Sequence, residues 1–423
     1  MSNLKAKISQ ITKNKDARIL VSNFVWLSAL QVASYIFPLI TIPYLAKVIG
    51  ADGFGKIAFA SAIMIWIQTI ADWGFNLTAT RDVAQNRDDT NKISEIFSNV
   101  LWSRCLLALL SLAILLLLIF MVPKFYENRT VILVTFLMIP GHILFPDWFF
   151  QAVERMKYTT LFNVLLKFLF TVAVFVFVKE KEDYILQPLF TSIGYVLCGV
   201  ISLYLIIGKW GIKLHKPSFK NILSTIKRST DVFVNNLAPN LYNSLSIVLL
   251  GIWGGSAATG IFDGGNKFIS MSNQVLSVLE QSFYPFLSRR IDKHNVFLAV
   301  NLIASVSMAA ILFFGAPIIV NLLLSPEFTE SILVLKIMSV SIVFRAISNV
   351  YGKNYLIIQH KEKILRTITL LSSVISFFLA IPLIRSYSYL GASIVMLFGI
   401  FLMATISMIV VQRIKKQEYE HNK

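Results

Sequence analysis

The chain has 423 residues, 56% of them apolar and only 14% charged. Soluble domains are about a quarter charged, so the composition argues against a water-soluble enzyme or a nucleic-acid binder. The net charge of +17 in so apolar a chain belongs to cytoplasmic membrane loops rather than to a DNA footprint. Cys105 and Cys198 lie inside apolar runs and the histidines show no ligand spacing. No disulfide framework, metal site or cofactor is expected from them.

A helix needs roughly 20 mainly apolar residues to cross a hydrocarbon core about 30 Å thick. After the basic stretch KAKISQITKNKDAR, the first run, near 20–48, is too long for a signal-peptide core and lacks a small-residue cleavage site. It reads as an uncleaved anchor. Runs near 56–80, 94–121, 131–153, 158–178 and 185–207 follow. A basic connector, 209–229, leads to further runs near 230–253, 260–284, 296–323, 331–358, 364–384 and 389–411. The expected fold is all-α, a polytopic membrane protein of about 12 transmembrane helices, with one six-helix bundle over 1–208 and another over 230–423. Loops that share a side with the termini carry 27 Lys and Arg against six in the opposite loops. This bias predicts that both termini are cytoplasmic.

The halves echo each other. Gly50-x4-Gly55 matches Gly255-x4-Gly260, Asp72-x2-Phe75-x5-Arg81 matches Glu280-x2-Phe283-x5-Arg289, and Pro123-x-Phe125 matches Pro326-x-Phe328. The order and near-constant offset point to duplication. Six spans per half make the repeats parallel, as in transporters built from two rocking bundles, with substrate expected near mid-membrane between them.

The segments PYLAKVIGADGFGKIAFASA (43–62), ADWGFNLTATRDVAQNRDD (71–89) and PEF (326–328) resemble the polysaccharide-transport family. Its members are O-antigen and capsule repeat-unit flippases of the multidrug/oligosaccharidyl-lipid/polysaccharide exporter superfamily. The likeness spans essentially the whole chain and is more specific in the N-terminal half. It implies a transporter that moves undecaprenyl-diphosphate-linked oligosaccharide from the cytoplasmic to the periplasmic leaflet of the bacterial inner membrane. It also implies a cationic central cavity and alternating access. H+ or Na+ is the coupling ion to consider, and polysaccharide polymerase and chain-length proteins are the partners.

A charge at mid-membrane costs roughly 2.5–3.5 kcal/mol on insertion scales, so each is a candidate site. Lys167 and Arg345 are central in their runs and, with Lys267 and Arg81, are candidates for the diphosphate. Three of them have a plainer reading. Lys167 could pair with Asp147 or Asp72, Lys267 with Asp263 four residues before it, and Arg81 with Asp88. Arg104 reads as snorkelling to the headgroups. Asn236, Asn240 and Asn243 share one face of the seventh run and suit either sugar hydroxyls or interhelical bonds. Asp72, Glu280, Asp147 and Asp263 are candidates for coupling or gating, and Asp72, Asn76 and Thr80 form an every-fourth-residue stripe.

The Gly50–Gly55 loop is no phosphate loop, because neither a preceding strand nor a following Lys-Ser/Thr is present. The alternatives are a cation-coupled drug/toxin antiporter on the same scaffold, which would want an acidic cavity, and a membrane enzyme of polysaccharide assembly. The enzyme would need a larger external loop or a His/Asp pair.

Overall fold

In the computed structural model, residues 15–287 and 294–421 are described, and among them every regular element is helical and there is no strand. In chain order the α-helices are α1 (Lys15–Asp72), α2 (Phe75–Gln85), α3 (Thr90–Met121), α4 (Pro123–Glu127), α5 (Arg129–Phe136), α6 (Met138–Leu144), α7 (Asp147–Ala152), α8 (Met156–Phe177) and α9 (Leu186–Leu203). After the connector come α10 (Phe219–Leu237), α11 (Ser244–Trp253), α12 (Gly255–Leu287), α13 (His294–Leu323), α14 (Ser331–Ser348) and α15 (Glu362–His421).

Eight stretches of the described residues are long and apolar enough to cross a membrane. Two of them run to 56 residues, too long for one crossing at 1.5 Å per residue. The first leaves the helical region at Gly50 in α1 and again at Trp73 and Gly74, and the second at Ser388 in α15. α12, at 33 residues, has the length but is too polar to score as apolar, with Asp263, Lys267 and Glu280 inside it. The chain is a multi-pass, all-α membrane protein.

Buried hydroxyls show how the spans manage without water. On α3, Ser98, Ser103 and Ser111 each donate to the carbonyl four residues back, at 2.7–2.8 Å. A hydroxyl satisfied by its own helix can face another helix at little cost, and its small size lets backbones approach.

The chain forms two compact units. One comprises residues up to Thr41, Ile67–Lys179 and Ile185–Val234. Within it α2 packs on α3 and α7, and α9 packs on α6 and α8. The other comprises Ile42–Trp66, Glu180–Tyr184 and Asn235 onward. Its α14 packs against α12, α13 and α15.

The repeated glycine motifs meet inside this second unit. A Cβ on Gly55 would fall on the Ser256 carbonyl oxygen, and one on Gly260 on the Ala51 carbonyl oxygen. The motif is a close crossing of two backbones, which only glycine permits. Beside it, Gly50 sits at φ 66 and turns the Ala51 amide onto Glu327 of the PEF segment, N to Oε2 2.8 Å. The other carboxylate oxygen takes Lys181 Nζ at 2.6 Å.

Those two donors, the Lys181 ammonium first and the Ala51 amide second, hold the Glu327 carboxyl below its ordinary 4.5. Its stabilisation is therefore complete above pH 4.5 and is lost as the pH falls through the lower folded value. Glu327→Gln is expected to cost about 1 kcal/mol, because the site is partly screened by solvent. Amide exchange at Ala51 checks this. Protection should drop in the variant and, in the parent chain, on acidification, and unchanged protection would refute the bond's importance.

Candidate functional site

The first unit holds a buried polar cluster built from three helices. α1 ends at Asp72 because the backbone turns left-handed at Trp73 and Gly74, φ 41 and 78. Asp72 therefore leaves α1 at its last turn. Arg104 of α3 donates Nη2 to Asp72 Oδ1 at 2.5 Å and Nη1 to the Ile143 carbonyl at 3.4 Å. His142 of α6 places Nε2 3.2 Å from both carboxylate oxygens, and Gln68 lies 3.1–3.2 Å from the same imidazole. Arg104 is 2% exposed. It is enclosed and paired, and does not snorkel.

The same break interrupts the stripe expected on the second span. Asp72 belongs to α1, while Asn76 and Thr80 belong to α2. Thr80 donates to the Asn76 and Trp148 carbonyls, at 2.5 and 3.2 Å, and Asn76 is exposed. Arg81 is exposed and bonds to Asp82, at 3.2 Å, rather than to Asp88. Arg228 of α10 takes the other Asp82 oxygen at 2.5 Å, so one carboxylate holds two guanidinium groups whose outer edges stay open. Trp73 stacks on Phe233 of α10 at 3.8 Å, and Thr78 meets Ser229 at 2.7 Å. α10 is thereby fastened to the 73–82 segment.

Lys167 is half-buried on α8, and its Nζ donates to Ser34 Oγ of α1 at 2.9 Å. Neither Asp147 nor Asp72 is its partner. Asp147 is exposed at the start of α7, where its Oδ1 accepts the Trp148 amide at 2.8 Å.

In the second unit Glu280 is buried, and both of its carboxylate oxygens accept from Asn349 Nδ2, at 2.9 and 2.8 Å. The echo of the first unit is close. Asp72 meets His142 70 residues on, and Glu280 meets Asn349 69 residues on. At the same offset from Arg104 the sequence carries Leu312. Asp263 is buried and paired with Lys267 at 3.2 Å, which neutralises much of both charges. Arg345 is exposed on α14.

The three asparagines do not share an α-helical face. α10 ends at Leu237, a 3-10 turn covers Ala238–Leu241 around Pro239, and α11 starts at Ser244. Pro239 cannot supply an amide to continue the helix. Asn236 is therefore helical and exposed, while Asn240 and Asn243 lie in and just after the turn and are half-buried. Arg289 lies outside the described residues.

With this geometry in view, the family described as "Polysaccharide biosynthesis protein" matches residues 20–291. The chain belongs to that family. Two relatives carry the name "Putative O-antigen transporter". The one from Escherichia coli (strain K12) is 28% identical over 385 residues, 89% of this chain and 92% of its own length. The one from Shigella dysenteriae is 28% identical over 382 residues, 89% of this chain and 96% of its own.

Among solved structures, the chain is similar to "Lipid II flippase MurJ, inward closed conformation", with TM-score 0.69, 14% identity, and coverage of 94% of this chain and 93% of that one. It is also similar to "Inward-facing conformation of a multidrug resistance MATE family transporter of the MOP superfamily", with TM-score 0.62, 15% identity, and coverage of 93% and 99%. At such identities the likeness is one of fold.

Arg104, His142 and Gln68 are the members of the buried cluster that sequence reasoning passed over as partners of Asp72. One signal pointed to His142. Carried across at the repeat offset of about 207, it aligns with Asn349, and both follow an acid matched at 208.

Proposed function

We propose that this chain is a transporter, not an enzyme, that moves undecaprenyl-diphosphate-linked oligosaccharide repeat units from the cytoplasmic to the periplasmic leaflet of the bacterial inner membrane. In this reading both termini are cytoplasmic and the two repeats alternate access. Family membership and the names of the two relatives support the substrate class. The observation that carries the reading further is Lys167. It is a base twelve residues into α8, and its polar partner among the described residues is a neutral hydroxyl. Such a charge costs several kcal/mol in hydrocarbon unless an anion meets it. A diphosphate is such an anion.

Arg345 is the corresponding open base of the second unit, and Arg81 would act at the cytoplasmic face. Lys267 contributes less, because Asp263 already holds it. Asn236, Asn240 and Asn243 would offer amides to sugar hydroxyls. The Asp72 and Glu280 clusters are the candidates for coupling to H+ or Na+. Asp72 is held by an arginine, and Glu280 accepts from the Asn349 amide. Polysaccharide polymerase and chain-length proteins are the partners such a transporter would serve. An antiporter of cationic drugs fits less well, because the open mid-span charges of both units are basic.

Lys167→Gln combined with Arg345→Gln is expected to abolish complementation of a flippase-null strain while the protein remains folded in the membrane. Unchanged complementation would overturn the assignment of these bases.

A further inference from the structure

Two side-chain bonds tie the first half of α1 to α8. Thr160 Oγ1 donates to the Trp26 carbonyl at 2.9 Å, and Lys167 Nζ donates to Ser34 Oγ at 2.9 Å. The partners advance together along both helices, so the two helices run in the same direction. Between them lies a groove of about 510 Å³, within the size range of small-molecule sites. Trp26, Ile36 and Phe37 line it from α1, and Thr160, Leu161 and Val164 from α8. Its outer walls are open, since Ile36 and Leu161 are about half exposed. On α8 the positions 160, 164 and 167 follow one another on one face. The lysine, bonded to Ser34 between the lining residues Trp26 and Phe37, therefore stands beside an apolar trough, about 16 Å along the span from Met156.

A second apolar groove, about 310 Å³, is lined by Cys105, Leu109, Phe136 and Pro140 among others. The base beside it, Arg104, is enclosed and already paired with Asp72. Of these two grooves, then, it is the α1–α8 one that joins an apolar channel to a base whose partner among the described residues is a neutral hydroxyl. The complement of that pattern is an amphiphile with a long hydrocarbon chain and a phosphate head.

We propose that the α1–α8 groove holds the isoprenoid chain of the lipid-linked substrate, with Lys167 meeting the diphosphate at mid-membrane while the chain stays in the trough. This rests on the transport reading above and adds where the tail rides. A head group midway across cannot remain joined to a tail free in one leaflet unless the tail has a path beside it. The trough provides such a path alongside the lysine. Thr160 and Ser34 fasten its two walls, and the chain can enter sideways from the lipid.

The test uses the full-length protein in proteoliposomes with a polyprenyl diphosphate bearing a photoactivatable group in its isoprenoid chain. Labelling is expected on peptides covering 26–37 and 160–164. Unlabelled polyprenyl diphosphate should compete about tenfold better than phosphatidylglycerol. Lys167→Gln should cut labelling by the diphosphate probe several-fold and leave labelling by the corresponding polyprenyl alcohol unchanged. Leu161→Trp, a lipid-facing change that leaves the core intact, should reduce both. Equal competition by phosphatidylglycerol would mean ordinary membrane lipid in the groove and would overturn the proposal, as would labelling elsewhere or no effect of Lys167→Gln. Transport of lipid-linked oligosaccharide by the unmodified chain is scored in the same vesicles. Transport without groove labelling sinks the groove alone, and absence of transport sinks the broader reading.

Discussion

Replacing Arg104 by glutamine is expected to destabilise the folded chain by about 3–5 kcal/mol, read as a large drop in thermal midpoint of the detergent-solubilised protein. The side chain is 2% exposed, and its Nη2 lies 2.5 Å from Asp72. Removing the guanidinium leaves a carboxylate facing His142 and no fixed positive charge. Glutamine keeps most of the volume and one donor, so the loss reports charge rather than a void. Asp72→Asn removes the opposite partner and strands the arginine, whose further partner among the described residues is the Ile143 carbonyl at 3.4 Å.

The decisive measurement is the double variant. With both charges gone the penalty should fall below the sum of the single losses by about 1–3 kcal/mol, the coupling expected of contacting groups. Strict additivity would mean that the two do not act as a pair. Transport by the double variant then separates scaffold from mechanism. A folded but inactive double variant would assign the pair to the transport cycle, and a folded active one would leave it a brace.

The all-α architecture was legible because it rests on run length and on the scarcity of charge, neither of which depends on tertiary contacts. So was the bend at Gly50, since glycine readily adopts the positive φ it needs there. The break at Ser388 falls in the gap between the last two expected runs, whereas Trp73, at φ 41, carries no such mark. A helical stripe drawn through Asp72, Asn76 and Thr80 therefore crossed a break invisible in the residue pattern. Arg104 was misjudged for a different reason. α3 has 32 residues and is about 48 Å long, more than a bilayer's thickness, so closeness to one end of an apolar run did not locate the headgroups. His142 is ambiguous in isolation, because an imidazole on a helix interior acquires a role only when the fold brings an acid to it. The candidate bases were legible as anomalies in apolar runs. Of their partners, Asp263 was legible from helical spacing, while Ser34 and Asp82 were not, because no periodicity along the chain points to them.

Gly260→Val should be a severely damaging change in the second unit, and comparison with Gly255→Ala shows why. Gly255 sits at φ 81, and a methyl group added to it would meet only open space. Alanine there meets only the left-handed backbone penalty, about 1 kcal/mol. At Gly260 the backbone is helical and the obstacle is steric, since a Cβ would coincide with the Ala51 carbonyl. Neither can rotate away, because the carbonyl is main chain and a Cβ is fixed to its Cα. Ala51 is further pinned by its amide bond to Glu327, and Ser256, one turn before Gly260, donates to Asp52. Inserting a branched side chain must therefore push the crossing helices apart, with overpacking costs of about 1–3 kcal/mol or more. Gly55→Val should behave alike, because its Cβ meets the Ser256 carbonyl from the opposite helix. Combining the two should cost less than their sum, since helices already separated by one valine have room for the other. Thermal midpoints of Gly255→Ala, Gly260→Val, Gly55→Val and the last two combined test the reading together. Equal, small shifts at Gly255 and Gly260 would show that the crossing can open without penalty, and would remove the reason for the repeated glycine pair.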